Sequence, residues 1–87
     1  MNIVCITDNG HGWGIVSAEQ LKQARFAPAD FSDFSYQTPN GEIYALEEDV
    51  DFPKYLNKLE SMGIKYEITD RHVDYADKDN PRSWDRI

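Results

Sequence analysis

Few side chains in this 87-residue chain have the types and spacing that catalysis requires. Asp8 and His11 flank an Asn-Gly dipeptide, and a carboxylate beside an imidazole can act as an acid–base pair. Residues 47–51 hold four carboxylates that could supply oxygen ligands to a metal ion. Cys5, the only cysteine, has no basic neighbour to activate a thiolate. Since the chain lacks zinc-ligand spacing, a phosphate loop and a nucleophile elbow, we expect no catalytic residue, no metal and no cofactor. The alternative is a small-molecule or metal-dependent enzyme that uses Asp8, His11 and the 47–51 carboxylates.

The negative charge is concentrated in one stretch of the chain. Residues 26–53 contain seven of the sixteen acidic residues and none of the nine Lys and Arg residues, so they carry the whole net charge of −7. Because an acidic surface repels phosphate groups, we expect no direct binding to nucleic acid or to an anionic membrane. Two interpretations of residues 47–51 stay open. The carboxylates cap a helix N-terminus, or they form a surface for a basic partner.

Aromatic side chains near this acidic stretch have two possible roles. Aromatic residues at alternating strand positions usually fill a core, but Tyr and Trp also suit a protein interface because they bury a large area at low entropic cost. Trp84, in a polar tail, either pins the tail to the domain or anchors a partner. The residues predicted to bind a partner are Asp33, Glu47, Glu48, Asp49, Trp13, Tyr44 and Trp84.

Two hairpins are predicted from turn chemistry. Residues 2–7 are apolar and β-branched, and the Asn-Gly pair after Asp8 predicts a type I′ turn that brings Ile6 opposite Trp13. Residues 38–41, Thr-Pro-Asn-Gly, predict a type I turn with a glycine bulge and a three-residue loop. This loop would pair Tyr36 with Tyr44.

Two helices are predicted from their ends. Ser17 and Gln20 fit a capping box at the start of a helix that Pro28 ends. Asp51 is the predicted N-cap of a second helix, and Gly63 stands where its C-terminal stop belongs.

The resulting order is ββ-α-ββ-α-β, ending in a strand over residues 64–69. It predicts a single α+β domain with a largely antiparallel sheet and two helices on one face. The alternative merges residues 2–16 into one strand and a loop, which gives the ferredoxin-like order β-α-β-β-α-β. We expect residues 1–70 to form the domain and residues 71–87 to form a charged tail that packs on it.

The cellular location is predicted from features that are absent from the sequence. A single cysteine, no apolar run as long as a membrane span and no signal-peptide pattern predict a cytoplasmic protein with no membrane partner. A homo-oligomer that pairs its edge strands is a further alternative.

Three segments resemble those of a known class of proteins. His11-Gly12-Trp13, residues 31–36 and residues 44–51 resemble the pattern H-G-W, Y-S-Y, Y-L-E-E-D, with F-S-Y in place of Y-S-Y and Ala45 inserted after the last tyrosine. The chain therefore resembles, over about residues 10–60, short uncharacterised proteins encoded by bacteriophages and plasmids. The resemblance implies a mobile-element setting in the cytoplasm of a host cell and transfers no catalytic residue. Because small acidic phage proteins often block host machinery, we expect an inhibitor or modulator that covers a basic surface of a host protein.

Overall fold

The computed structural model describes residues 1–75, 77 and 79–87 of the chain. Within them, six strands form one sheet and two helices pack on it. The strands are β1 (Asn2–Thr7), β2 (Gly12–Ser17), β3 (Tyr36–Gln37), β4 (Ile43–Glu47), β5 (Glu67–His72) and β6 (Asp85–Arg86). The helices are α1 (Ala18–Gln23) and α2 (Asp51–Ser61), and single 3-10 turns occupy Pro28–Asp30 and Pro81–Ser83.

The predicted α+β class is confirmed. The sheet order is β5-β1-β2-β4-β3-β6, and among the described strands only the β1–β5 pair is parallel. The ferredoxin-like alternative is wrong because residues 12–17 form a strand of their own that pairs with β1. Both helices contribute to the same core cluster, so they lie on one face of the sheet.

The register of the first hairpin is confirmed, but its turn type is not. Ile6 lies opposite Trp13 as predicted. A type I′ turn would need positive φ at Asn9 and Gly10, and neither residue has it. Oδ1 of Asp8 instead accepts hydrogen bonds of 2.8 Å from the N–H groups of Gly10 and His11, which closes the turn without left-handed residues.

Helix α1 begins as predicted but ends at Gln23, before Pro28. The Ser17 hydroxyl accepts from the Gln20 N–H, while the Gln20 side chain accepts from the Ser17 N–H, which completes the capping box. At the other end Arg25 takes the left-handed conformation with φ of 63°. The Phe26 N–H then donates to the Leu21 carbonyl, as in a Schellman motif.

The second hairpin has positive φ at the predicted glycine, but its loop is one residue longer than predicted and its register is shifted by one residue. Gly41 has φ of 71°, and its N–H donates to the Thr38 carbonyl. Tyr36 lies opposite Ala45 rather than Tyr44, because the loop contains four residues instead of three. The shift places Tyr36 and Tyr44 on opposite faces of the sheet, since successive side chains alternate between faces.

Helix α2 ends at the predicted glycine but is not capped by Asp51. Val50 occupies the N-cap position without a side-chain hydrogen bond, and Asp51 is the first helical residue. Gly63 follows the helix with φ of 73°, and the Ile64 N–H donates to the Leu59 carbonyl. Glycine is favoured there because it adopts positive φ without a β-carbon clash.

The core lies between the sheet and the two helices. Strand residues Ile3, Val16 and Tyr44 form one row of its floor, as the pairing registers require. A further close contact comes from Phe52 of α2, whose ring occupies the space where Gly14 lacks a side chain. The other buried members are Cys5, Leu21, Ala24, Phe31, Leu46, Tyr55 and Leu59.

The last predicted strand, over residues 64–69, lies three residues further along the chain in the structure. Strand β5 begins at Glu67, whose N–H donates to the Met1 carbonyl, and it continues to His72, beyond the predicted domain boundary at residue 70. Residues 76 and 78 of the predicted tail lie outside the described residues. Asn80 and Pro81 are fully buried, and β6 pairs with β3 at the edge of the sheet.

Candidate protein-binding groove

Two aromatic side chains meet on the sheet face opposite the helices. On β2, Trp13 lies opposite Glu47 and Ile15 lies opposite Ala45 of β4. Ala45 in turn lies opposite Tyr36 of β3. This register places Trp13 and Tyr36 on the same face. Their ring centroids are 6.1 Å apart in an edge-to-face arrangement, which is favourable for aromatic pairs.

These rings form part of an open groove of about 370 Å³. Its walls combine aromatic, acidic and basic side chains from β2, the loop before β3, the loop before α2, and the tail. We call it the aromatic groove, and it is lined by His11, Trp13, Phe34, Tyr36, Glu47, Asp49, Val50, Arg82 and Arg86.

Arg82 forms one wall and is held by the first hairpin. Its Nε donates a hydrogen bond of 2.8 Å to Oδ2 of Asp8, and the same oxygen accepts from Nδ2 of Asn80 at 3.1 Å. The guanidinium carbon lies 5.4 Å from the Trp13 ring and 4.6 Å from the Tyr75 ring. Such cation–π contacts and the ion pair fix the guanidinium over the groove.

The Asp8 carboxylate is fully engaged. The hydrogen bond from Arg82 lowers the pKa of Asp8 well below its ordinary value, and hydrogen bonds from Asn80 and from the N–H groups of Gly10 and His11 add to this effect against the opposing effect of burial. A carboxylate that is so stabilised in its charged form is a poor proton acceptor at neutral pH.

Arg86 forms the end of the groove on β6. Its guanidinium carbon lies 5.4 Å from the Tyr36 ring, and its Nη1 donates a hydrogen bond of 2.6 Å to the carbonyl of Asp33. The tail thus holds the loop that precedes β3 and presents the Phe34 side chain beside the groove.

The predicted acidic stretch divides into buried and exposed carboxylates. The Glu47 carboxylate is buried and accepts from the N–H groups of Asp49 and Val50, each at 3.0 Å. Glu47 therefore satisfies the free N–H groups before α2, the role that was predicted for Asp51. Asp33, Glu48 and Asp49 are exposed. The Glu48 carboxylate lies beside Gly12 and Thr7, on the helix side of the sheet. Asp49 lines the groove and Asp33 precedes the lining residue Phe34, so we call Asp33 and Asp49 the acidic rim.

Asp51 has a structural role far from solvent. Its side chain is buried, and Oδ2 accepts from the N–H and hydroxyl of Ser32 at 2.9 and 2.7 Å and from the hydroxyl of Ser35. The Ser35 hydroxyl also accepts from the Glu47 N–H at 2.9 Å. Asp51 thus ties the loop that carries Phe34 to the start of α2.

Two of the apolar side chains that line the groove are exposed. Phe34 is 66% exposed and Val50 is 57% exposed, although both line the groove. Large exposed apolar side chains grouped beside charged residues are typical of protein interaction sites.

Only some of the predicted partner-binding residues line the groove. Trp13, Glu47 and Asp49 line the groove, whereas Asp33 and Glu48 do not, and the Glu48 carboxylate lies beside Gly12 on the helix side of the sheet. Tyr44 is only 5% exposed and lies in the helix-side core, because the register shift turns it away from Tyr36. The remaining residue, Trp84, is half-buried and does not line the groove.

Several groove residues were not predicted from the sequence. Phe34, Arg82 and Arg86 line the groove but are not among the residues predicted to bind a partner. The sequence around Trp84 contains no pattern that indicates a groove. Only the path of the tail across the sheet brings Arg82 to Trp13 and Arg86 to Tyr36.

The described residues show few arrangements suited to other chemistry. Among them, no three His, Cys, Asp or Glu side chains are close enough together to hold a metal ion. Cys5 is buried, and burial together with the nearby charges of Asp70 and Glu48 raises the pKa of its thiol. The His11 ring lies 6.1 Å from the Trp13 ring, and its backbone N–H, rather than its imidazole, is what bonds to Asp8.

Comparison of the chain with protein-family models, with curated proteins and with solved structures gives no match. The resemblance to phage and plasmid proteins therefore stays a prediction. Over the described residues, no helix has both the length and the apolar character that crossing a membrane requires.

Proposed function

We propose that the protein is a binding module that takes a basic, partly apolar segment of another protein into the aromatic groove. The observation that carries this proposal is that two exposed apolar side chains, Phe34 and Val50, line the groove together with the exposed carboxylate of Asp49. Protein interfaces commonly combine apolar anchors with a polar rim, and the anchors supply most of the binding energy.

The charge distribution supports a basic partner. Asp33, Glu48 and Asp49 are exposed, and residues 26–53 contain no Lys or Arg. The wall residue Arg82 is paired with Asp8, so its charge is largely compensated within the protein. Arg86 also lines the groove and partly compensates the acidic rim, so attraction of Lys and Arg side chains rests on Asp49 and on the wider acidic stretch.

The biological role that we propose is inhibition or modulation of a host protein through its basic surface. The resemblance to phage and plasmid proteins supports this role, because a small acidic protein can block such a surface without catalysis. The net charge of −7 on 87 residues is in keeping with that role.

The enzyme alternative receives less support from the site. Of the carboxylates that it would use, Asp8, Glu47 and Asp51 each accept two or more hydrogen bonds within the protein. A general base needs a carboxylate that can reach the proton it removes. The geometry therefore favours binding over acid–base chemistry.

Charge reversal of the acidic rim tests the proposal. Asp33→Lys with Asp49→Lys is compared with Glu19→Lys and Glu42→Lys, two exposed acids that neither line the groove nor precede Phe34. Both pairs change the net charge equally. Tagged proteins capture partners from bacterial lysate, and the captured protein is purified and its affinity for each variant measured at low and high salt. We expect the rim variant to lose binding, most strongly at low salt, and the control to keep it.

Truncation of the apolar anchor gives a second test. We expect Phe34→Ala to weaken binding of the purified partner about tenfold or more, whereas Met62→Ala, at an exposed apolar residue on α2's C-cap, leaves it unchanged. Equal affinities of the two variants, together with salt-independent binding by the rim variant, would show that this face is only a solvated surface.

A further inference from the structure

The outer edge of β5 is long and accessible. All six residues from Glu67 to His72 are exposed, and β1 pairs with only one side of the strand. Among the described residues, no strand pairs with its other side. An edge of this length presents unpaired backbone groups to another chain unless proline, a bulge or repelling charges prevent pairing. Strand β5 contains no proline, glycine or lysine.

The direction of the backbone groups follows from the pairing with β1. The N–H of Glu67 donates to the Met1 carbonyl, and the N–H of Val73 donates to the Thr7 carbonyl. Alternate residues of a strand direct their hydrogen-bonding groups to the same side. The free N–H and C=O groups of β5 are therefore those of Ile68, Asp70 and His72.

We propose that a second copy of this chain pairs with this edge, antiparallel to the first and with Thr69 on the two-fold axis. In that register Ile68 of one copy lies opposite Asp70 of the other. The two residues exchange backbone hydrogen bonds, because both have free N–H and C=O groups on this edge. Glu67 of each copy then lies directly opposite Arg71 of the other. Opposite charges at directly facing positions stabilise a strand pair, and the symmetry of the dimer forms the contact twice.

Neighbouring registers are less favourable. A shift that keeps the free groups paired but centres the axis on Asp70 brings two carboxylates face to face. The opposite shift centres the axis on Ile68 and places Lys65 opposite Arg71. Like charges directly opposite one another destabilise a strand pair. The sequence of β5 thus selects one self-complementary register.

The contacts that β5 makes within one copy do not obstruct this pairing. Arg71 donates to Asp79 at 3.3 Å, but both side chains are at least half exposed, so this surface ion pair is weak and the guanidinium is free to turn. Ile68 is 45% exposed, and pairing brings the two Ile68 side chains into diagonal proximity on one face.

The proposed dimer leaves both aromatic grooves open. The groove lies over β2, β4 and β3, toward the other end of the sheet from β5. The two copies would share one sheet of twelve strands, and strand spacing separates the two β4 strands by about 34 Å. This inference does not depend on what the groove binds.

Charge exchange within the pair tests the proposal on the full chain. Glu67→Arg places two arginines opposite each other, and Arg71→Glu places two glutamates opposite each other. We expect wild type to dimerise with concentration in sedimentation equilibrium, and each single variant to associate about tenfold or more weakly. An equimolar mixture of the two variants should associate again, because each facing pair then joins opposite charges. Circular dichroism confirms that each variant is folded.

Hydrogen exchange locates the contact. In wild type, the amides of Ile68 and Asp70 should gain protection as concentration rises, while the amide of Thr69, already bonded to β1, should not change. A wild-type protein that stays monomeric into the millimolar range overturns the proposal. It is also overturned if the variants dimerise like wild type, or if protection rises elsewhere and not at these two amides.

Discussion

Arg82 donates a hydrogen bond of 2.8 Å to Asp8 although 74 residues separate them in the sequence. The Asp8 side chain is 1% exposed and that of Arg82 is 25% exposed, so water screens this ion pair little. The other carboxylate oxygen of Asp8 accepts from the N–H groups of Gly10 and His11. One carboxylate therefore closes the first turn, anchors the tail and positions a wall of the aromatic groove.

Loss of this carboxylate should destabilise the protein. We expect Asp8→Ala to lower the free energy of unfolding by about 3 kcal/mol, because it leaves Arg82 and Asn80 without their acceptor. Urea denaturation followed by circular dichroism measures the change. Asp79→Ala is the control, since its ion pair with Arg71 is exposed and should contribute less than about 0.5 kcal/mol. Equal effects of the two substitutions would contradict the assigned role of Asp8.

The same ion pair should make stability depend on pH. The hydrogen bond from Arg82 holds the pKa of Asp8 below its ordinary value, which is about 3.9 in an unfolded chain. A lowered pKa in the folded state stabilises the protein above the unfolded pKa, and this stabilisation is lost as the pH falls below it. We expect the stability difference between wild type and Asp8→Asn to be constant near neutral pH and to shrink below about pH 4. Urea denaturation at several pH values measures it, and a difference that does not change with acidification would refute the linkage.

Gly14 is required for the packing of α2 on the sheet. A β-carbon at this position would lie 2.2 Å from the Phe52 ring, so one of the two must move. We expect Gly14→Ala to lower the free energy of unfolding by about 2 kcal/mol, and Phe52→Leu in the same chain to recover part of the loss. At Gly10, by contrast, the nearest atom is the end of the Arg82 side chain at 3.3 Å, so Gly10→Ala should change the melting temperature little. Comparable melting temperatures for the two alanine variants would argue against this packing.

Substitutions at the two helix ends should change the stability of the protein in opposite directions. Arg25 and Gly63 both have positive φ, at 63° and 73°, but only glycine adopts it without strain. We expect Arg25→Gly to stabilise the protein by about 0.5 kcal/mol and Gly63→Ala to destabilise it by about 1 kcal/mol. For a domain of this size, these changes correspond to shifts in melting temperature of about +3 °C and −6 °C in calorimetry. A lower melting temperature for Arg25→Gly would show that its side chain matters more than its backbone.

Ser35 links the buried Asp51 to the groove. Its hydroxyl donates to Asp51 and accepts from the Glu47 N–H, and the residue is fully buried. We expect Ser35→Ala to cost about 2 kcal/mol, because a buried carboxylate loses one donor and a buried N–H loses its acceptor. Ser61→Ala, at an exposed hydroxyl bonded to the Lys58 carbonyl, is the control and should be nearly neutral. Thermal unfolding compares the two variants, and a neutral Ser35→Ala would mean that other groups replace its hydrogen bonds.

Features set by near neighbours in the chain could be read from the sequence. The pairing of Ile6 with Trp13 follows from the short turn after Asp8, and the capping box of Ser17 and Gln20 joins residues three apart. Gly63 ends α2 because glycine tolerates positive φ. In each case the interacting groups are separated by a few residues, so only a few conformations compete.

Features that depend on distant contacts could not be read in this way. One extra residue in the loop before β4 separates Tyr36 from Tyr44, since a shift of one reverses the face of every side chain. Asp51 has the sequence context of a helix cap, yet it binds Ser32 and Ser35, while Glu47 satisfies the N–H groups beside it. The chain alone determined the α+β class and the concentration of acid in residues 26–53. Only the tertiary structure decided which carboxylates are buried and that the tail completes the groove, because burial depends on which distant segments cover each face of the sheet.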